Sequence, residues 1–242
     1  MKNMHEGFKI FVDFDGTITT EDVGDAIFRK FGDKPKVDAI IEDLLSDRLP
    51  AKDCWIALCA SIDRINKEEL DDFIGTFSID AAFKMFVEFC RERKHDLFIL
   101  SDGFDYYIEK IFKKEEIQGV NVYSNHLTIN SDNRLIPSFP YFDSEFLTSA
   151  NCKRNHIMNN SSDDDYTFYI GDGNSDKETA QYCDFIFAKN DLLKFCEKER
   201  ITYFPFQTFS EITGRLKELM SKKRLRKRYR AGLKRKTAYI AE

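Results

Sequence analysis

Five short apolar runs, at residues 8–14, 96–100, 120–124, 166–170 and 185–188, punctuate a chain that is otherwise amphipathic. Between them, apolar positions recur at helical spacing. Phe83, Phe86, Val87 and Cys90 make one such face, and Trp55, Leu58, Cys59 and Ile62 another. A strand that is apolar along its whole length is buried on both faces, and strands separated by helices are joined by crossovers. The pattern therefore predicts an α/β fold: a Rossmann-like parallel sheet with helices on both faces. The stretch 20–78 breaks the alternation. It reads as several helices without a strand, an all-helical cap inserted after the first strand. Residues 126–137 read as a small hairpin, with His126-Leu127-Thr128-Ile129 and Leu135-Ile136 flanking a polar turn. The expected division is a core at 1–19 and 79–220, a cap at 20–78, and a basic C-terminal tail at 221–242.

A length of 242 residues suits one such domain with an insertion, and 23 phenylalanines promise an aromatic-rich core. No run approaches the roughly 18 apolar residues of a membrane span, and no signal-peptide hydrophobic region follows Met1. Cys54, Cys59, Cys90, Cys152, Cys183 and Cys196 show neither a C-x-x-C pair nor zinc-like spacing, so they read as reduced core cysteines of a cytoplasmic protein. His5, His95, His126 and His156 likewise lack ligand spacing. The net charge of −5 conceals an asymmetry. Residues 221–242 hold ten Lys or Arg and one Glu, a balance of +9 that leaves −14 on the rest. An acidic body disfavours nucleic acid as a partner, and no membrane partner is expected. An anionic substrate would need a metal and a few placed cations. The tail reads as a solvated helix end. Contact of Lys222-Lys223-Arg224-Leu225-Arg226-Lys227-Arg228 with RNA or an anionic membrane is the alternative.

The chemistry concentrates where strands end. Asp13-Phe14-Asp15-Gly16-Thr17 closes the first apolar run, at the edge where ligands bind in open α/β sheets. Period-two alternation turns Asp13 and Asp15 the same way. Two carboxylates so close persist only if a cation neutralises them or one keeps its proton. Gly171-Asp172-Gly173-Asn174-Ser175-Asp176 follows the run at 166–170. A Gly-x-Gly after a strand hints at dinucleotide binding, but Asp176 stands where pyrophosphate would approach. These oxygens suit a hard cation such as Mg²⁺, with Asp172 and Asp13 around one ion. Ser101-Asp102-Gly103 ends another strand and offers a hydroxyl and backbone N–H groups to phosphate oxygens. Lys153 begins a helix and offers a point charge of the right sign.

In this order the motifs resemble those of the haloacid dehalogenase (HAD) superfamily of phosphatases. Asp13-Phe14-Asp15-Gly16-Thr17 is similar to the first, Ser101 to the second, Lys153 to the third, and Asp172 with Asp176 to the fourth. The helical insertion after the first strand resembles the phosphoserine-phosphatase-like branch. Asp102-Gly103-Phe104-Asp105-Tyr106-Tyr107, Tyr123-Ser124-Asn125-His126 and the stretch 187–193 resemble the methionine-salvage phosphatases within it. The resemblance implies an Mg²⁺-dependent phosphomonoesterase acting on a small phosphorylated metabolite, the methionine-salvage enol phosphate among the candidates, with a phosphoserine phosphatase or a phosphotransferase of the same superfamily as the alternatives. It implies Asp13 as nucleophile and Asp15 as acid and base. Mg²⁺ would lie on Asp13, the backbone carbonyl of Asp15 and Asp172. Phosphate would meet Ser101, Asp102, Gly103 and Lys153, with Asp176 behind Lys153 or the metal waters. Asp22, at the entrance to the cap, is a candidate substrate contact.

Overall fold

Lys9–Asp13 (β1) runs through the middle of a seven-stranded sheet, with Ile10, Phe11 and Val12 fully buried. Ile10 and Val12 join the larger of two hydrophobic clusters and Phe11 the other. That explains why three consecutive positions of the strand, Ile10, Phe11 and Val12, are apolar. The computed structural model describes residues 7–46 and 48–241. The stretch before Gly7, with His5, and Glu242 of the tail lie outside the described residues.

The sheet order is β4-β3-β2-β1-β5-β6-β7. Asp96–Phe104 is β2, Asn121–Ile129 β3, Leu135–Ser138 β4, Thr167–Gly171 β5, Phe185–Ala188 β6 and Phe204–Pro205 β7. All neighbours pair parallel except β3 with β4. From β1 the chain builds outward on one side through β2 and β3, then crosses to β5 and builds outward on the other. The switch point therefore lies between β1 and β5, whose carboxyl ends carry Asp13 and Asp172. Phe83–Glu92 (α5), Asp105–Lys114 (α6) and Phe209–Met220 (α10) cover one face with the larger cluster. Lys153–Asn160 (α7), the short Asp176–Thr179 (α8) and Asn190–Lys198 (α9) cover the other.

Between β1 and α5, among the described residues, lie four helices, Val23–Phe31 (α1), Lys34–Leu45 (α2), Ala51–Ala60 (α3) and Lys67–Thr76 (α4). Asp22, Asp33 and Asn66 cap three of them by accepting backbone N–H groups. The insertion enters and leaves at one point. Thr19 and Ile79 form an antiparallel bridge, and the Thr20 N–H donates to the Ser78 carbonyl over 3.1 Å.

Three elements differ from their sequence reading. The run at 120–124 and the first arm of the expected hairpin are one strand, β3; its polar outer residues hide the continuity. Strand β2 continues past Leu100 through Ser101-Asp102-Gly103, with a register shift against β3. Side-chain amides serve the irregular stretch: Asn151 donates to the Ser101 carbonyl and Asn125 to that of Asp102. The tail is not a solvated helix end. Tyr229–Ala241 (α11) docks against the 3-10 turn Ala180–Tyr182. Arg235, 3% exposed, pairs with Asp184 at 3.3 Å and donates to the Tyr182 carbonyl.

Candidate active site

At the end of β1 the chain turns on Gly16, whose φ of +72° only glycine adopts without strain. A Cβ there would also lie 2.8 Å from Asp172 Oδ2. The turn thus brings the first acidic motif against the fourth, and Thr17 Oγ1 donates to Asp172 Oδ1 over 2.9 Å. Asp13, Asp172 and Asp176 each place a carboxylate oxygen within 4.8 Å of the others. Burial, and next the charge of Asp176, drive the Asp13 carboxyl well above its ordinary range. Asp172 is raised by the same two causes.

Lys153, 1% exposed, brings an ammonium into this cluster. It donates to Asp13 Oδ1 at 2.6 Å, Asp176 Oδ1 at 2.8 Å and Ser175 Oγ at 3.1 Å, which uses all three of its protons. Burial works against its charge, but Asp13 and Asp176 outweigh burial and hold its pKa above the usual lysine value. Asp176 is saturated in turn. Its Oδ1 also accepts from Tyr169, and its Oδ2 takes the N–H groups of Asp172 and Gly173 at 3.0 Å each. A carboxylate holding four donors has no lone pair left for an ion. Asp176 therefore orients Lys153 and shapes the loop bearing Asp172.

Asp15 lives differently. Its carboxylate accepts from Tyr107 Oη at 2.7 Å, Ser101 Oγ at 3.3 Å and the Val23 N–H at 3.1 Å. Burial, and then the neighbouring charge of Asp22, push it up to about 7. Gly103 makes the Tyr107 contact possible, since a Cβ there would sit 1.6 Å from Tyr107 Oη and 2.9 Å from Asp15 Oδ2. Gly103→Ala must therefore expel the Tyr107 hydroxyl. The expected result is a fall in kcat of about 10²-fold, the cost of misplacing a catalytic group by an ångström or so, with little loss of helix content by circular dichroism.

Two further expected site residues have other engagements. The Asp102 carboxylate accepts from Ser149 Oγ and from the N–H groups of Ala150 and Asn151, all at 2.8 Å. It clamps the loop that delivers Lys153. Asp22 is exposed at the head of α1 and accepts the Asp25 N–H at 2.8 Å. Ser101 is fully buried beside Asp15, and its Oγ accepts the Gly103 N–H at 3.0 Å. Sequence reasoning missed Tyr107, Tyr169 and Asn190, the last of which donates to Asp172 Oδ2 at 3.1 Å. Tyr107 and Asn190 lie inside quoted stretches, but both tyrosines also fit the pattern of core aromatics.

The donor set fits a hard divalent cation. Three carboxyl groups gather around the Lys153 ammonium, and every candidate ligand is oxygen. Asp172 keeps a lone pair on each oxygen beyond its bonds to Thr17 and Asn190, and Lys153 engages only Oδ1 of Asp13. Asp13 and Asp172 are the side chains able to hold the ion.

The model of the haloacid dehalogenase-like hydrolase family matches residues 10–181. Pdp3-interacting factor 1 of Schizosaccharomyces pombe is 30% identical over 219 residues, 87% of this chain and 95% of that protein. The 2-hydroxy-3-keto-5-methylthiopentenyl-1-phosphate phosphatase of Bacillus mycoides is 30% identical over 218 residues, 89% of this chain and 98% of that protein. Among solved structures, a phospho-aspartyl intermediate analogue of phosphoserine phosphatase superposes with a TM-score of 0.65 at 16% identity, covering 87% of this chain and 99% of the other. Cytosolic 5′-nucleotidase IIIB bound to cytidine reaches 0.55 at 13% identity, over 97% and 88%. These two are likenesses of fold.

Proposed function

The chain belongs to the haloacid dehalogenase-like hydrolase family and is a phosphatase, and on that footing we propose that it hydrolyses a small phosphomonoester through an aspartyl-phosphate on Asp13. The observation that carries this reading is the contrast between two carboxylates two residues apart. Asp13 is held by a buried ammonium within the acidic cluster. Asp15 is held by hydroxyls and pushed up to about 7. Paired carboxyls in unlike environments divide into nucleophile and proton carrier.

Asp13, positioned by Lys153, forms the new O–P bond as the P–O bond to the leaving group breaks. Asp15 gives its proton to the departing alkoxide. It then takes a proton from the water that cleaves the acyl phosphate, regenerating both carboxyls. Ser101 stands beside Asp15 to donate to a phosphoryl oxygen. Lys153 contributes charge, and an incoming phosphate oxygen takes over the proton now given to Ser175. Mg²⁺ bound by Asp13, Asp172 and the Asp15 carbonyl would offset the repulsion between carboxylate and phosphate. In this reading the four helices after β1 act as a cap that favours small substrates and excludes bulk water. We assign the protein to the cytoplasm, where its buried thiols stay reduced.

The first substrate to test is 2-hydroxy-3-keto-5-methylthiopentenyl-1-phosphate, because the Bacillus mycoides relative of that name matches along nearly its full length. Phosphoserine, phosphocholine and sugar phosphates complete the screen. Phosphate release should stop on chelation and return with Mg²⁺. Equal turnover without divalent metal overturns the reading, and transfer to an added alcohol in place of release makes the protein a phosphotransferase.

The pH dependence follows from Asp15. Its proton is present below pH about 7 and lost above. With an alkyl phosphate, kcat/KM should therefore decline above that value. An aryl phosphate, whose leaving group needs no proton, should show no such limb. Tyr107 donation lowers the Asp15 pKa, so Tyr107→Phe should move the limb to higher pH.

A further inference from the structure

We propose that the outer face of α11 is a docking surface for an anionic lipid bilayer, which the protein touches without crossing. The helix has two unlike sides. Ala231, Arg235 and Ala238 face inward and are buried, and Tyr239 Oη is tied to the Met158 carbonyl at 3.0 Å. On the opposite side, Tyr229, Leu233 and Ile240 lie within a narrow arc of the helix, four and seven residues apart. They are 82%, 52% and 86% exposed. Anchoring through Arg235 to Asp184 and the Tyr182 carbonyl keeps this side turned outward.

Charge selects the occupant. Arg230 and Lys236 are exposed on the helix, and Arg224 and Arg226 are exposed in the stretch that leads into it, within a segment carrying +9 on a body of −14. An anionic surface attracts this segment and repels the rest, which orients the molecule with α11 against it. Phosphate groups alone would be met by the basic residues; Leu233 and Ile240 gain nothing from a nucleic-acid backbone but gain from acyl chains. Tyr229 suits the headgroup level, with a ring in the apolar layer and a hydroxyl in water. A second copy would set one basic helix against another. Among the described residues no helix is long and apolar enough to cross a membrane, so the contact is superficial.

The test is co-sedimentation of the full chain with phosphatidylcholine vesicles, with and without phosphatidylserine, at low and high salt. Binding should require phosphatidylserine and weaken with salt. The doubly substituted Leu233→Asp, Ile240→Asp chain should partition at least about tenfold less. Neither residue touches the catalytic cluster, so its turnover of a soluble phosphomonoester should be unchanged. Indifference to phosphatidylserine, or full binding by the double variant, overturns the proposal. So does a protein that ignores vesicles and instead shifts single-stranded RNA or pairs with itself.

Discussion

Replacing Asp13 by Asn should lower kcat on the order of 10⁴-fold or more, because an amide cannot attack phosphorus and the remaining groups only position and polarise. The same change should not lower stability. Burial and the charge of Asp176 raise the Asp13 pKa above its unfolded value. A carboxyl with a raised folded pKa supports the fold most below its unfolded pKa, and that support is lost as pH rises through the folded value. Neutral pH lies above the unfolded pKa, where that support is already being lost, so the carboxyl costs the native state stability there and Asn removes the cost. Urea unfolding at pH 7 should show the variant at least as stable as the parent. Acid-quenched parent protein should carry hydroxylamine-labile phosphate, and the variant none. A phosphorylated variant would exclude Asp13 as nucleophile.

Lys153→Met should damage both properties. The ammonium is buried and joins two carboxylates that are themselves buried. Its loss leaves Asp13 and Asp176 without the ammonium that bonds both. Breaking a buried pair from one side costs about 3–5 kcal/mol, and kcat should fall at least about 10³-fold with the disordering of Asp13. The deficit should depend on pH. Asp13 and Asp172 have raised folded pKa values, so the variant should recover stability as pH falls through those values toward about 4, the unfolded range. Measured against the parent at each pH, a deficit that stays constant or grows in acid would show that the ammonium acts through packing rather than charge. Added Mg²⁺ should also narrow the gap at neutral pH, since it supplies the missing positive charge at the same cluster.

Much of this site could be read from the chain because its parts sit where local patterns end. An apolar run that stops at an acidic turn marks both a strand and its ligand edge, and that applies to Asp13 and to Asp172. Asp15 was legible for a related reason, since two close carboxyls must differ in protonation. The supporting groups were not legible. Tyr107 and Tyr169 sit at core positions of α6 and β5. Nothing in periodicity separates a tyrosine that fills space from one whose hydroxyl reaches a buried carboxylate such as Asp15 or Asp176. Asp102 was read beside phosphate because of its neighbours, whereas its carboxylate binds backbone across a long loop. Arg235 belongs to a tail whose composition reads as a solvated helix end, and only the tertiary placement of Asp184 turns it inward. Contacts between distant segments decide these roles, and hydrophobic patterning carries no information about them.

The bridge between Thr19 and Ile79 has an evolutionary consequence. A detour whose two ends meet can be lengthened, trimmed or exchanged while the chain rejoins the sheet at the same address. On the proposed mechanism, substrate-reading side chains in that detour can then diversify by recombination, while Asp13 and Asp15, upstream of the junction, stay under separate selection.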